Sequence, residues 1–425
     1  MKRRTFVKNT LPLVALPGLV KGVPLGALTW PTSEGVPNTD GKILVMIELN
    51  GGNDGLNTII PIDQYKNLRD VRGNILIPEN RILPLSGTNI VGLHPSLKPL
   101  QALYDRKMMT VVQGVGYPNF NYSHFRASDI LQTSSGADNS NVSTGFLGRY
   151  LNKLNPQYPK GYPNNQSPDP LAITVGPVPI STMLQGNTMS MGLSISSSSS
   201  FYNLVSGVSA DAPLTNAGKE VNFMRRISSL TTQYEGAIKQ AGQKQQNLSG
   251  KYPEKNEVAE NLKIIAQLIG GGLQTSVYVT TQFNYDHHNA QVDTADPTKG
   301  KHAGLLSHLA EAIDAFLDDL QLMGMQDRVL CMVYSEFGRR IKSNASYGTD
   351  HGSAQPFMFF GTQLKSGFIG HNPVIHDNIT VADNLEMQND YRSVYTTILK
   401  KWFNASDDNI SASVLATFPQ LDLFK

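Results

Sequence analysis

"NYDHHNAQ" (284–291) sets an acid and a histidine two residues apart, and "GTDHG" (348–352) sets another acid beside another histidine between glycines. Residues two apart in an extended segment point the same way, so Asp286 and His288 can present a carboxylate oxygen and an imidazole nitrogen on one face. Such a pair is half of a site for zinc or a similar cation, and Asp350 with His351 adds ligands of the right type. A plain polar turn has the same composition, and a lone D-x-H would not outweigh it. "SEFGRR" (335–340) contributes Glu336 and two arginines, Arg339 and Arg340, which either hold an oxyanion bidentately or are solvated. "NYSHF" (121–125) puts Ser123 at a helix start, where a hydroxyl is a nucleophile at the positive helix end or an ordinary cap. "NGGNDG" (50–55) holds Asn50, Asp54 and glycines that allow close backbone approach to a ligand or a simple tight turn. G-x-G-x-x-G is absent there, so it is not a dinucleotide motif.

Each cluster follows an apolar run of strand length. "KILVMIEL" (42–49), "MMTVVQGVG" (108–116), "SVYVTTQF" (276–283), "RVLCMVYS" (328–335) and "PFMFFG" (356–361) predict strands, and runs apolar on both faces predict a buried parallel sheet. Helical spacing recurs between them, as in "HPSLKPLQALYDRK", "HFRASDILQTS" and "DYRSVYTTILKKWF". In "HAGLLSHLAEAIDAFLDDLQLMG", Leu305, Leu309, Ala312, Ile313 and Phe316 fall on one side. The alternation predicts an α/β fold, a three-layer sandwich around a mostly parallel sheet, with ligands at the carboxyl ends of the strands. From about 150 to 265 the pattern is less regular. A serine-rich loop and two polar helices, "NAGKEVNFMRRISSLTTQYEGAIKQAGQKQQNL" and "PEKNEVAENLKIIAQLIGGG", read as a helical and loop insertion capping the sheet edge.

The chain has 425 residues, 40% of them hydrophobic, enough to bury a large core. A formal net charge of +2 gives no case for nucleic acid, and the single cysteine, Cys331, excludes an internal disulfide. "MKRRTFVK" followed by "TLPLVALPGLVKGVPLGAL" reads as an export signal up to about Ala27, not a membrane span. Arg3 and Arg4 with Phe6 favour the twin-arginine route, with a loose linker over 28–41 and one domain over 42–425.

"ELNGGNDGLNTIIP", "LHPSLKPL", "NYSHFRASDILQT", "GFLGRYL", "NYDHHNAQ", "VYSEFGRR", "GTDHG" and "NDYRSVYTTILKKW" occur in this order from about 43 to 403. Together they resemble the exported bacterial family called domain of unknown function 1501, itself related to the alkaline phosphatase and sulfatase superfamily. The resemblance implies an alkaline phosphatase-like sandwich and ester hydrolysis through a covalent intermediate at a metal-assisted residue. Asn50 stands where the first strand normally supplies an aspartate to one metal, with Asp54 four residues on. Ser123 matches the nucleophile. Glu336 and Phe337 stand where an Asp-His ligand pair is usual, while Asp286, His288 and His351 match the remaining Asp and two His.

The expectation is an exported hydrolase of phosphate or sulfate esters on small molecules or glycans, periplasmic or at the cell surface. Ser123 attacks, and His124 or Arg339 assists. One divalent metal is expected, zinc first, with calcium, magnesium or manganese as alternatives, or none. A catalytically silent scaffold or binding protein of the cell envelope, with an envelope protein partner, is the competing expectation. No nucleic acid and no membrane span after signal removal are expected.

Overall fold

A computed structural model describes residues 41–139, 141–178, 181–187, 189–206 and 229–425. The expected signal (1–27), almost all of the linker, and the first part of the polar helix from 216 therefore lie outside the described residues.

The described residues open on β1 (Ile43–Leu49), buried along its whole length, as a run apolar on both faces requires. β2 (Ile59–Pro61), β3 (Leu83–Leu85) and β4 (Thr88–Leu93) form a small antiparallel sheet. β5 (Met109–Gly116), β6 (Ala172–Val175), β7 (Leu193–Ile195), β8 (Val277–Gln282) and β9 (Val329–Ser335) return to the main sheet. β10 (Arg339–Ser343) and β11 (Thr349–His351) pair as a separate antiparallel ribbon. β12 (Gln355–Phe360), β13 (Gly367–Ile369) and β14 (Asn389–Asp390) complete the main sheet.

That sheet has nine strands in the order β13-β5-β12-β9-β1-β8-β6-β7, with β14 beside β5. All the pairings are parallel except those of β12, which runs against both β5 and β9.

Side chains of β1 alternate between two cores. Ile43, Val45, Ile47 and Leu49 face one that includes the helices Lys98–Asp105, Glu257–Gly270 and Lys301–Leu322. Leu44 and Met46 face the other, against His124–Thr133, Phe146–Leu154 and Tyr391–Thr397. Helices on both faces of a mostly parallel sheet make the expected three-layer α/β sandwich.

The segment 150–265 is not only an insertion over the sheet edge. β6 and β7 lie within it and are that edge, and Glu257–Gly270 buries Leu262, Ile265 and Leu268 against the sheet. Strands of four and three residues are too short to carry a period of their own. Among the described residues, no helix is long and apolar enough to cross a membrane.

Candidate functional site

β1, β5, β8 and β9 run the same way, so their carboxyl ends share one edge of the sheet. Asp286 follows β8, Glu336 follows β9, and His124 opens the helix after the β5 loop. His351 arrives differently from the sequence expectation. It ends the β10–β11 ribbon that leads into β12, and because β12 is antiparallel its amino end lies at this same edge.

Three imidazoles surround Asp286, and each has its Nδ1 committed to an oxygen. His124 Nδ1 donates to Glu336 Oε1 at 2.6 Å, His288 Nδ1 to Asp350 Oδ1 at 3.1 Å, and His351 Nδ1 to the Tyr122 carbonyl at 2.7 Å. Carboxylates and carbonyls only accept, so each Nδ1 carries the hydrogen. The Nε2 atoms are left facing the aspartate. His288 Nε2 is 3.1 Å and His351 Nε2 3.3 Å from Asp286 Oδ1, and the two nitrogens are 2.8 Å apart. His124 Nε2 is 3.4 Å from Asp286 Oδ2, buried, and without a hydrogen-bond partner.

The backbone around this cluster is tight. Gly51 has φ +121°, and a Cβ there would collide with the Asp286 backbone nitrogen, so only glycine lets the chain leave β1 this close to the Asp286 backbone. Phe337 is buried under the histidines, its ring 4.7 Å from that of His124 and 4.8 Å from that of His351. It fixes the two rings by packing.

Electrostatics follow from these partners. The Glu336 hydrogen bond raises the pKa of His124 despite partial burial. Burial lowers that of His351 against the Tyr122 carbonyl. Partial burial alone would raise the pKa of Asp286, but the Arg339 hydrogen bond and charge, with His288 and His124, bring it down to about 2.

One ligand atom each from His124, Asp286 and His351 lie within 4.8 Å of one another, so this group could hold a metal ion, with His288 Nε2 beside it. An imidazole held through Nδ1 by a carboxylate or carbonyl, with Nε2 open, is the usual arrangement around a metal-binding histidine. The orphaned Nε2 of His124 is the observation that fits a bound cation here. Imidazole nitrogens with one carboxylate suit zinc better than calcium or magnesium, which take oxygen.

Several residues proposed from sequence sit elsewhere. Asp54 is buried in an ion pair with Arg72, and the same oxygen, Oδ2, accepts from Gln291 Nε2 at 2.6 Å. Glu336 accepts from the Gly51 N–H at 2.9 Å and the Ser335 hydroxyl at 2.9 Å besides His124, which makes it an orienting group. Asp350 does the same for His288. Asn50 joins by its backbone, which accepts from the Tyr285 N–H at 3.0 Å.

Arg339 is not an open oxyanion clamp. Its guanidinium is 1% exposed and donates to the Gly52 carbonyl at 2.7 Å, the Thr349 carbonyl at 2.8 Å and Asp286 Oδ1 at 2.7 Å. Arg340 lies over the Tyr122 ring at 4.7 Å and donates to the His351 carbonyl at 3.0 Å. Ser123 is exposed at the N-cap of His124–Thr133, and its side chain makes no cap hydrogen bond. The sequence reading missed the Tyr122 carbonyl. Only its position two residues before His124 hints at a role.

Solved structures with a related outline include Ps i-CgsB in complex with k-i-k-neocarrahexaose, at 11% identity over 87% of this chain and 74% of that one, TM-score 0.39. A protein in the alkaline phosphatase superfamily from Vibrio parahaemolyticus is 11% identical over 85% of this chain and 66% of that one, TM-score 0.40. The lipoteichoic acid synthase LtaP from Listeria monocytogenes is 10% identical over 78% and 66%, TM-score 0.31. At these values the architecture rests on the strand order and the two core layers. Among curated proteins, none matches the chain. The family described as protein of unknown function (DUF1501) matches residues 107–412, well over half of the chain and most of the site, and the chain therefore belongs to the DUF1501 family.

Proposed function

We propose that this protein is an exported hydrolase related to the alkaline phosphatase superfamily, acting on phosphate or sulfate esters with one divalent metal ion, zinc by its donor set. The observation that carries the reading is the common orientation of His124, His288 and His351. Each is held at Nδ1 by an oxygen of the chain and each turns Nε2 toward Asp286.

Asp286, His288 and His351 would hold the ion, with His124 as a further ligand or the assisting group. A bound zinc would supply positive charge to the ester oxygens. Ser123 sits at the positive end of a ten-residue helix with its hydroxyl free of any cap bond, next to His124. Its Oγ would bond to phosphorus or sulfur, lose its proton to a neighbouring base, and release the alcohol. Water would then cleave the ester on Ser123 and regenerate the hydroxyl. Arg339 holds Asp286 in place and does not touch substrate.

A second metal is not part of this reading. Asn50 contributes backbone, Asp54 is paired with Arg72, the Glu336 carboxylate is occupied by the chain's own donors, and Phe337 offers no ligand atom. The buried Arg339 and the ring of Phe337 favour the rival, a silent envelope binding protein.

The test is purified, exported protein assayed for bound metal and for hydrolysis of aryl phosphate, aryl phosphodiester and aryl sulfate. Turnover that Ser123→Ala abolishes while the metal stays bound supports the hydrolase. Metal bound with no turnover of any of the three esters sinks it in favour of the binding protein.

A further inference from the structure

Behind the site lies a buried polar layer that the proposed reaction does not use. Its hub is Gln291, 1% exposed. Gln291 Nε2 donates to Asp54 Oδ2 at 2.6 Å, and Gln291 Oε1 accepts from the Thr349 hydroxyl at 2.9 Å. Asp54 is in turn paired with Arg72, both fully inside the protein. A carboxylate paired with a guanidinium offers only acceptors, so the amide nitrogen has to face it and the amide oxygen has to face Thr349. The orientation of Gln291 is therefore decided by an ion pair that touches nothing in the site.

Thr349 begins β11 and His351 ends it, so their side chains share a face. The Thr349 carbonyl also accepts from Arg339 Nη1 at 2.8 Å, while Arg339 Nη2 holds Asp286 at 2.7 Å. One chain of hydrogen bonds thus runs from the Asp54–Arg72 pair through Gln291 and Thr349 to the aspartate, and the same strand carries His351. The β10–β11 pairing and the Gln291 N–H bond to the Tyr347 carbonyl, at 2.8 Å, hold the ribbon without this link. The Thr349 N–H bond to the His287 carbonyl, at 3.0 Å, ties the same strand beside Asp286, and the hydroxyl adds a side-chain link to the buried layer.

We propose that Gln291, held by the buried Asp54–Arg72 pair, is a positioning residue that acts through the Thr349 hydroxyl to set His351 against Asp286 for metal binding. The proposal rests on the metal reading above. A buried amide between a carboxylate and a hydroxyl has one satisfied arrangement, which suits a group that must hold a ligand to a few tenths of an ångström.

The experiment is zinc titration of the metal-stripped full chain, with folding of each variant confirmed by circular dichroism. Thr349→Val and Gln291→Met, which keep size and remove the hydrogen bond, should each weaken zinc binding roughly 10- to 100-fold, the usual effect of losing an outer partner of a ligand. Thr349→Ser should restore most of it. The double variant should bind no more weakly than the worse single one, because both cut the same link. Wild-type affinity in Thr349→Val and Gln291→Met overturns the inference, as does an equal loss in Thr349→Ser. If Gln291→Met does not fold, Thr349→Val against Thr349→Ser decides alone. A wild type that binds no zinc overturns the metal reading and this inference together, whereas zinc bound equally by wild type and variants overturns only the inference.

Discussion

His288 Nε2 lies 2.8 Å from His351 Nε2, and both nitrogens face the same oxygen of Asp286. Each ring has its other nitrogen committed as a donor, to Asp350 and to the Tyr122 carbonyl. Two bare lone pairs repel at this separation, and two N–H groups would collide. One proton or one cation between them resolves the conflict.

Zinc uptake should release protons and weaken on acidification, because an imidazole has to bind the ion through an unprotonated nitrogen. Calorimetry in buffers of different ionisation enthalpy gives the number of protons released. Uptake should saturate at one equivalent per chain and vanish in His288→Ala. Two equivalents, or an affinity flat from about pH 5 to 8, would refute the single shared site.

Phe337 is predicted to matter as a wedge. Its ring packs on His124 and His351 and lies beneath Gly52, while the acids a second ion would need, Asp54 and Glu336, are engaged by Arg72 and by the chain's own donors. Phe337→Ala should cost about 3–5 kcal/mol of stability, the range for losing a buried aromatic ring. Phe337→His should not create a second metal site. Denaturant unfolding and metal content check the two halves, and a second equivalent in Phe337→His would refute this account.

Much of the sheet is legible in the sequence because its long strands are apolar on both faces, as in Ile43–Leu49 and Val329–Ser335. β6 and β7 are not, being short and flanked by loop, and the β10–β11 ribbon reads as polar loop because it has no apolar alternation. At the site, residue type identifies the candidates but not their partners. Asp54 and Asp286 both follow strands of the sheet, yet one meets Arg72 inside the protein and the other meets three imidazoles. The pairing of His124 with Glu336 joins residues 212 positions apart and has no local signature. Its place in a pair of arginines after a strand suggests solvent or an oxyanion for Arg339. The glycine turn at 51–52 and the carbonyl of Thr349 enclose it instead.

Export by the twin-arginine route is predicted from Arg3, Arg4 and Phe6. Replacing both arginines with lysine keeps the charge and should leave unprocessed protein in the cytoplasm. Fractionation and the size of the retained band measure it. Normal export of that variant would leave only a general signal peptide.

A last prediction concerns Glu48, buried in β1 beneath the helix that carries His124. Burial, and then the charge of Glu336, push its pKa up from 4.5 to about 7, against hydrogen bonds from Thr281, Gln132 and Ser128. An acid whose pKa is higher in the folded state binds its proton more tightly there than in the unfolded chain. Between about pH 4.5 and 7 the folded protein therefore holds more protons, and this group's contribution to stability falls as the pH rises through that window. Below it the carboxyl is neutral in both states and costs nothing in charge. Glu48→Gln, which keeps the shape and cannot ionise, should change the melting temperature little near pH 4 and raise it by a few degrees near pH 8. Thermal melts of metal-free protein at several pH values measure the difference. A Glu48→Gln protein that melts lower than wild type at pH 8 would show that the ionised carboxylate is stabilised by the donors around it, and that Ser128 and Gln132 hold the His124 helix through a charge.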